Sequence, residues 1–314
     1  MDKILLIDGM NSIYRASIGF GPNKKKHELC SDLYIDEACP HLINLGKVHC
    51  TCGQLWVNDK CNSDVNEEYI VVFNFFRNLR PIIEQFSPDK CFFVLEGHPK
   101  FRYDLYSDYK ANRIIKTAEK QIAKDKFHLA KDEIIRLIKY LPITVAKALD
   151  YECDDVIATL VDNLKEESMT VLSGDSDYIQ LLQKNYKSLS IYDPIKKKFM
   201  EAPSFPYVAW KCLVGDKSDN IKGINGIGDK RAQTLLSDPD KLKKCMELEE
   251  NRATVSINKQ LIEFRMVPEN EILIEDGSTS FDVLKEEFRK MQFNSIINDN
   301  SWVKYTNTFK CLKY

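Results

Sequence analysis

"KILLID", residues 3–8, is a short apolar run that ends in a carboxylate. Four consecutive apolar residues with no polar alternation fit a strand buried on both faces, as in a parallel sheet, rather than an edge strand with one wet side. The same grammar recurs in "DKCFFVLEG" (89–97), "PITVA" (142–146), "MTVLSGDSD" (169–177) and "SLSIYD" (188–193). Between these runs lie segments with apolar residues on a helical repeat: "NSIYRAS", "EEYIVVFNFFRNLRPIIEQF" (67–86), "DEIIRLIKYL" and "ECDDVIATLVDNL". Strands alternating with helices predict an α/β fold around a mostly parallel sheet. After about residue 203 the strand signals fade, and short helices are expected in "YVAWKCLVG", "GDKRAQTLL", "PDKLKKCMEL" and "ATVSINKQLIEFRM".

The totals set broad limits. A chain of 314 residues with 44% hydrophobic and 29% charged residues can bury a sizeable core. The net charge of −2 excludes a uniformly basic coat, though not a local basic surface. No run approaches the length of a membrane span, and "MDKILLIDGMN" turns acidic too soon for a secretory signal. A cytoplasmic protein with reduced or metal-bound thiols is therefore expected for the ten cysteines.

Carboxylates cluster where the strands end. Asp8 closes the first strand and Glu96 follows the second. Glu152, Asp154 and Asp155 open a helix after the third, Asp175 and Asp177 follow the fourth, and Asp216 and Asp219 precede a glycine-rich turn. In a parallel α/β sheet the carboxyl ends of the strands share one edge, where ligands bind. Anions gathered there repel unless cations share their charge, and oxygen donors without His or Cys suit Mg²⁺ or Mn²⁺. Singly, each cluster also has a structural reading, since "ECDD" resembles a helix cap and "SGDSD" an Asx-turn. Their joint placement favours two metal ions acting on a phosphodiester.

Two further stretches point to nucleic acid. "GINGIGDKRAQTLL" has the form of a helix-hairpin-helix turn, whose glycines and helix-start amides can approach phosphates, with Lys230 and Arg231 following at once. Residues 98–131 hold nine basic residues against four acidic ones, including Lys100, Arg102, Lys110, Arg113 and Lys116. Tyr103, Tyr106 and Tyr109 interleave there as faces on which bases could stack.

"LLIDGMNSIYRA", "FVLEG…FR…YKANR", "YECDDVIATL", "LSGDSDYIQLL" and "LVGDKSDNIKGINGIGDKRA" together resemble the 5′ nucleases: phage flap endonucleases, 5′–3′ exonucleases, and the N-terminal nuclease domain of bacterial DNA polymerase I. The resemblance implies a PIN-like catalytic core over residues 1–203, a helical arch at 97–131, and a C-terminal helix-hairpin-helix region at 204–314. It implies a first metal site of Asp8, Glu96, Glu152, Asp154 and Asp175, and a second of Asp177, Asp216 and Asp219 with Asp155 beside them. Lys110 and Arg113 match arch residues that contact the scissile phosphate. Lys100, Arg102, Tyr109, Lys116, Lys230, Arg231 and the glycines Gly223, Gly226 and Gly228 are expected to touch DNA, with K⁺ on carbonyls near those glycines. The implied activity is hydrolysis near the 5′ ends of flapped or nicked DNA during replication, with RNA primers as further substrates, by a monomer without a following polymerase domain. A catalytically weak DNA-binding protein and a PIN-type ribonuclease are the alternatives.

Two departures stand out. Glu96 occupies a place usually held by Asp. Residues 21–66 form an insertion rich in Cys, His, Asn and Lys, holding five of the ten cysteines. Zn²⁺ is expected there on Cys30, Cys39, Cys52 and Cys61, with His41 or Cys50 as substitutes, a reduced loop being the alternative. Cys91, Cys153, Cys212, Cys245 and Cys311 are expected in the core.

Overall fold

A computed structural model describes residues 1–17, 55–57, 60–62, 67–113, 117–184 and 186–313. Lys116 and the thiols expected to bind Zn²⁺ lie outside what it describes. For Cys61 only the backbone is given, within a short hairpin that pairs β2 (Leu55–Val57) with β3 (Lys60–Asn62).

Every strand expected from an apolar run is present. These are β1 (Lys3–Asp8), β4 (Lys90–Leu95), β5 (Thr144–Lys147), β6 (Ser168–Leu172) and β7 (Leu189–Asp193). With two further strands, β8 (Lys198–Phe199) and β11 (Leu273–Glu275), they form a seven-stranded sheet in the order β11-β5-β4-β1-β6-β7-β8. The five central strands run parallel, and the two edge strands antiparallel. Leu5, Leu6 and Ile7 of β1 are fully buried, as its central position demands. The order reverses at β1: the chain steps outward through β4 and β5, then returns to β6 and β7 on the other side. The carboxyl ends of β1 and β6 thus flank the switch point, where a crevice is expected.

The edge strands escaped the sequence reading. β8 has only two residues, and β11, "LIE", leaves all three exposed, so neither carries the apolar run that marks a central strand.

Helices follow the strands: α1 (Gly9–Ser17), α2 (Ile70–Phe86), α3 (Lys100–Leu105), α4 (Ala118–Ile138), α5 (Cys153–Asn163) and α6 (Ile179–Leu182). Beyond them come α7 (Tyr207–Val214), α8 (Asp229–Leu236), α9 (Pro239–Cys245), α10 (Glu249–Ile262), α11 (Phe281–Lys290), α12 (Asn294–Ile297) and α13 (Asp299–Phe309). A small antiparallel pair, β9 (Gly215–Asp216) and β10 (Ile221–Lys222), lies between α7 and α8.

These elements divide into two compact units. One comprises Met1–Asn11, Lys90–Ala118 and Thr144–Glu275 and contains the whole seven-stranded sheet. Its core packs β1, β4, β5 and β6 against Val156, Ile157, Leu160 and Val161 of α5, with Phe264 and Val267. The other comprises Ser12–Asp89, Glu119–Ile143 and Asp276–Tyr314. Its centre is aromatic: Phe288 lies 5.1 Å from Phe76 and 5.2 Å from Phe293, and Trp302 stacks on Tyr305 at 5.6 Å. The Tyr305 hydroxyl donates to the Phe76 carbonyl at 3.3 Å, which satisfies its buried polar tip. Of the cysteines expected in the core, Cys91, Cys153 and Cys212 are buried and Cys245 is half-buried. Cys311 is exposed instead, because it falls past the end of α13.

Phe288 is fully buried among four aromatic neighbours. Phe288→Ala is therefore expected to lower stability by about 3–5 kcal/mol, read as a shift of the urea unfolding midpoint.

Candidate metal centre

All of the described residues expected at the divalent-metal and DNA sites lie in the unit that contains the sheet. Asp8, at the end of β1, is 7% exposed, and its carboxylate accepts from the Asn11 amide (2.9 Å) and the Ser173 hydroxyl (2.9 Å). Burial raises its pKa to about 6, against the pull of those hydrogen bonds and with a contribution from the Asp175 charge. Asp175 is exposed and caps the next turn by accepting from the Asp177 amide at 2.9 Å. Glu96 is exposed after β4, and Asp154 is half-buried in the first turn of α5. Burial, with Asp155 and Glu152 nearby, holds Asp154 well above the ordinary carboxylate range.

Among the described residues, one set of three carboxylates converges closely enough to share an ion: Asp177, Asp216 and Asp219, whose ligand atoms all lie within 4.8 Å of one another. Two loops bring them together. Asp177 sits in the turn after β6, and Asp216 and Asp219 span the β9–β10 hairpin, which the Asp216 side chain closes by accepting from the Ser218 amide at 2.7 Å and its hydroxyl at 2.6 Å.

A lysine is built into this cluster. Lys211 of α7 is 7% exposed, and its ammonium binds Asp177 and lies 2.6 Å from Asp216. Burial alone would lower its pKa, but the two carboxylates outweigh burial and hold it above the ordinary lysine range. The same ammonium holds Asp216 below its ordinary value in spite of burial, whereas burial, opposed by Lys211 and reinforced by Asp175, raises Asp177 to about 6. The sequence reading missed Lys211. Its signal was a lone lysine in the apolar helix "YVAWKCLV", five residues before Asp216.

Basic residues from "YKANR" close the other side. The Arg113 guanidinium is 2.7 Å from Asp219, and the Lys110 ammonium binds Glu152 and lies 3.9 Å from Asp219. Lys110 has a left-handed backbone (φ 56°), a strained conformation for a side-chain-bearing residue, fixed by its amide donating to the Asp219 carbonyl at 2.9 Å. Asn112 donates to the Lys217 carbonyl (2.7 Å) and Asn220 to the Asp108 carbonyl (2.8 Å), so the two segments are riveted together through their backbones. Burial would raise the pKa of Glu152, but Lys110 and Arg102 outweigh it and hold the carboxyl below its ordinary range.

The structure corrects several residue roles. Asp155 is fully buried and takes a bidentate pair from Arg102 (2.6 and 2.8 Å), plus the Arg265 amide at 2.8 Å and the Glu152 amide at 3.3 Å, leaving no free oxygen to offer a metal. Arg102, expected to touch DNA, is 1% exposed and spends its remaining donors on Glu152 and the Leu261 carbonyl. Tyr109 is 2% exposed, with its hydroxyl 2.8 Å from Glu152 and 3.1 Å from Asp219, so it presents no face to a base. Tyr103 and Tyr106 pack against the cluster of Cys212, Ile221 and Leu261. Gly223 is glycine for packing: a Cβ there would stand 2.3 Å from the Val214 backbone. Lys100 is exposed and paired with Asp104. Gly226, Gly228, Lys230 and Arg231 are exposed in the turn leading into α8. Gly226 is left-handed (φ 74°), and its carbonyl accepts from Arg231 at 3.2 Å.

With this geometry in view, the similarities are specific. Residues 56–205 match the family model of the 5′–3′ exonuclease N-terminal, resolvase-like domain. The chain is similar to curated 5′–3′ exonucleases. It is 29% identical to a 5′–3′ exonuclease of Mycoplasmopsis pulmonis over 59% of its length and 63% of the relative's, and 32% identical to that of Bacillus subtilis over 56% and 61%. DNA polymerase I of Chloroflexus aurantiacus is 32% identical over 55% of the chain, but the match covers 19% of the polymerase. The chain thus spans less than two thirds of these relatives. The bacteriophage T5 flap endonuclease, solved with DNA and metal ions, shares the fold at a TM-score of 0.57 and 14% identity, covering 98% of both chains. The catalytic core of Rad2, solved with a DNA substrate, does so at 0.51 and 15%. No described helix is long and apolar enough to cross a membrane.

Two measurements follow. Asp8 and Asp177 carry folded-state pKa values near 6, above the ordinary carboxylate value near 3.8, so the folded chain binds more protons than the unfolded one between about pH 4 and 6. Without divalent ions, stability is expected to fall as pH rises through that window, by roughly 3 kcal/mol for Asp8 alone, and Asp8→Asn should flatten the slope of Tm against pH. Arg102→Leu strands the buried Asp155 and is expected to destabilise by about 3–5 kcal/mol in urea unfolding.

Proposed function

We propose that the chain is a metal-dependent 5′ nuclease that hydrolyses phosphodiesters near the 5′ ends of flapped or nicked DNA. The observation that carries this reading is the convergence of Asp177, Asp216 and Asp219 at the carboxyl edge of the sheet, beside Lys110 and Arg113. The donor set fits a hard divalent cation: three oxygens within 4.8 Å of one another, no His or Cys among them, and burial lifting Asp177 and Asp219 above their ordinary values. These three residues would hold Mg²⁺ or Mn²⁺, which when bound supplies Lewis-acid charge to a phosphodiester. Asp8, Glu96, Glu152, Asp154 and Asp175 would hold a second such ion, supplying further charge to the phosphodiester.

The chain's own residues do the rest. Lys110 and Arg113 provide positive charge at the mouth of the site, where a scissile phosphate gathers charge in the transition state. The left-handed Lys110 and its backbone rivets hold both cations in place, which preorganises them. The α7–turn–α8 segment, with exposed Gly226, Gly228, Lys230 and Arg231, serves as the helix-hairpin-helix grip on the DNA backbone. RNA primers, a K⁺ ion at that turn, a Zn²⁺ ion on the inserted cysteines, a monomeric state and a cytoplasmic location complete the proposal. That two relatives are named 5′–3′ exonucleases and one structural neighbour is a flap endonuclease solved with DNA and metal ions agrees with it.

The test is cleavage of a 5′-labelled flap duplex with Mg²⁺, beside Asp175→Ala/Asp177→Ala and an all-RNA counterpart. Cutting near the junction by the parent, reduced at least a thousandfold in the variant, is expected. Binding without cutting under both Mg²⁺ and Mn²⁺ would make the chain a DNA-binding protein, and cutting of RNA alone a ribonuclease.

A further inference from the structure

β11 (Leu273–Glu275) closes one side of the seven-stranded sheet, antiparallel to β5, and no described strand lies beyond it. Ile272 before it is also extended (φ −84°, ψ 111°), so strand-like backbone runs from Ile272 to Glu275. Along an antiparallel pair the backbone N–H and C=O groups point alternately toward the partner and away from it, so part of this stretch faces outward. Native sheets commonly guard such an edge with lysine or proline. β8, at the opposite edge, begins with Lys198. β11 holds neither residue, and it exposes Leu273 (53%) and Ile274 (51%).

The edge is firmly anchored. Ile272 packs against the core of the sheet, and upstream the Val267 amide donates to the Thr159 hydroxyl at 2.8 Å. Its charge has one sign: residues 269–276 carry Glu269, Glu271, Glu275 and Asp276, all exposed, and no basic residue. Those carboxylates repel the phosphates of a nucleic acid. Two copies of the chain pairing edge to edge would bring both sets of acids into one ladder, which like-charge repulsion also opposes. An extended peptide that mixes apolar and basic residues meets every demand. Its backbone continues the ladder, its apolar side chains extend the Leu273–Ile274 surface, and its cations meet the carboxylates. A strand added there would lie four strand spacings from β1, roughly 19 Å at about 4.8 Å each, so the carboxylate that ends β1 stays open.

We propose that β11 is a docking edge, at which an extended basic and apolar peptide segment of a partner protein adds a strand to the sheet. The inference does not rest on the nuclease reading and stands or falls apart from it. Its test uses the full chain and a fluorescein-labelled peptide of alternating lysine and valine, read by fluorescence anisotropy at low salt. The same peptide N-methylated at every amide keeps its charge but cannot complete the ladder. Binding by the parent is expected, weakened about tenfold or more by the N-methyl groups and by Glu271→Lys/Glu275→Lys. Glu247→Lys/Glu250→Lys, exposed about the start of α10, should bind as the parent does. Hydrogen–deuterium exchange of the parent should show peptide-dependent protection at residues 272–275, a readout that needs no variant. No binding by the parent, equal binding of both peptides, or protection confined to other residues overturns the proposal. A concentration-dependent dimer that protects residues 272–275 without peptide also overturns it, and assigns the edge to a second copy.

Discussion

Carboxylates held out of water at one sheet edge are the constraint on which the rest of this structure depends. Asp8, Glu152, Asp155 and Asp216 are each less than a tenth exposed, and isolated charges at that depth would be costly. The chain answers with cations placed one by one. Arg102 takes Asp155 and part of Glu152, Lys110 takes the rest of Glu152, Lys211 bridges Asp177 and Asp216, and Arg113 reaches Asp219. Where burial and neighbouring carboxylates outweigh the compensating charge and hydrogen bonds, the carboxyl instead holds its proton more tightly, as at Asp8 and Asp154. A divalent ion entering this edge meets a site already divided between carboxylates that are spoken for and carboxylates that need charge.

That division explains why neighbouring acids in one motif play different parts. In "ECDD" the Glu152 and Asp155 side chains close a reciprocal cap at the start of α5, while the half-buried Asp154 accepts from the Asp155 amide at 2.9 Å. Arg102 reads this difference: its fork is filled by Asp155 and Glu152. The consequence reaches the basic segment, because α3, which carries Arg102, leads directly into Lys110 and Arg113. The anchor that neutralises a buried aspartate also fixes the direction from which two cations approach the site.

Much of this was legible in the residues. Apolar runs located β1, β4, β5, β6 and β7, and the carboxylates that follow them fall on one edge, because a parallel sheet leaves no other arrangement. What the residues could not reveal was pairing. Arg102 and Lys110 sit in the same basic stretch, yet one is buried against Asp155, 53 residues away, and the other stands at the mouth of the site. The tyrosines interleaved with them look like stacking faces until the fold packs them against Cys212 and Leu261. Lys211 hides in an apolar helix because its partners come from two separate loops. Edge strands β8 and β11 lack the burial on both faces that makes a strand visible in sequence.

The most direct measurement of the central claim is anomalous diffraction from crystals of the chain soaked in Mn²⁺. The account predicts an anomalous peak among Asp177, Asp216 and Asp219, with the Lys211 ammonium displaced from Asp177. Manganese bound elsewhere, with Lys211 still bridging Asp177 and Asp216, would contradict it and mark these three carboxylates as a structural ion cluster.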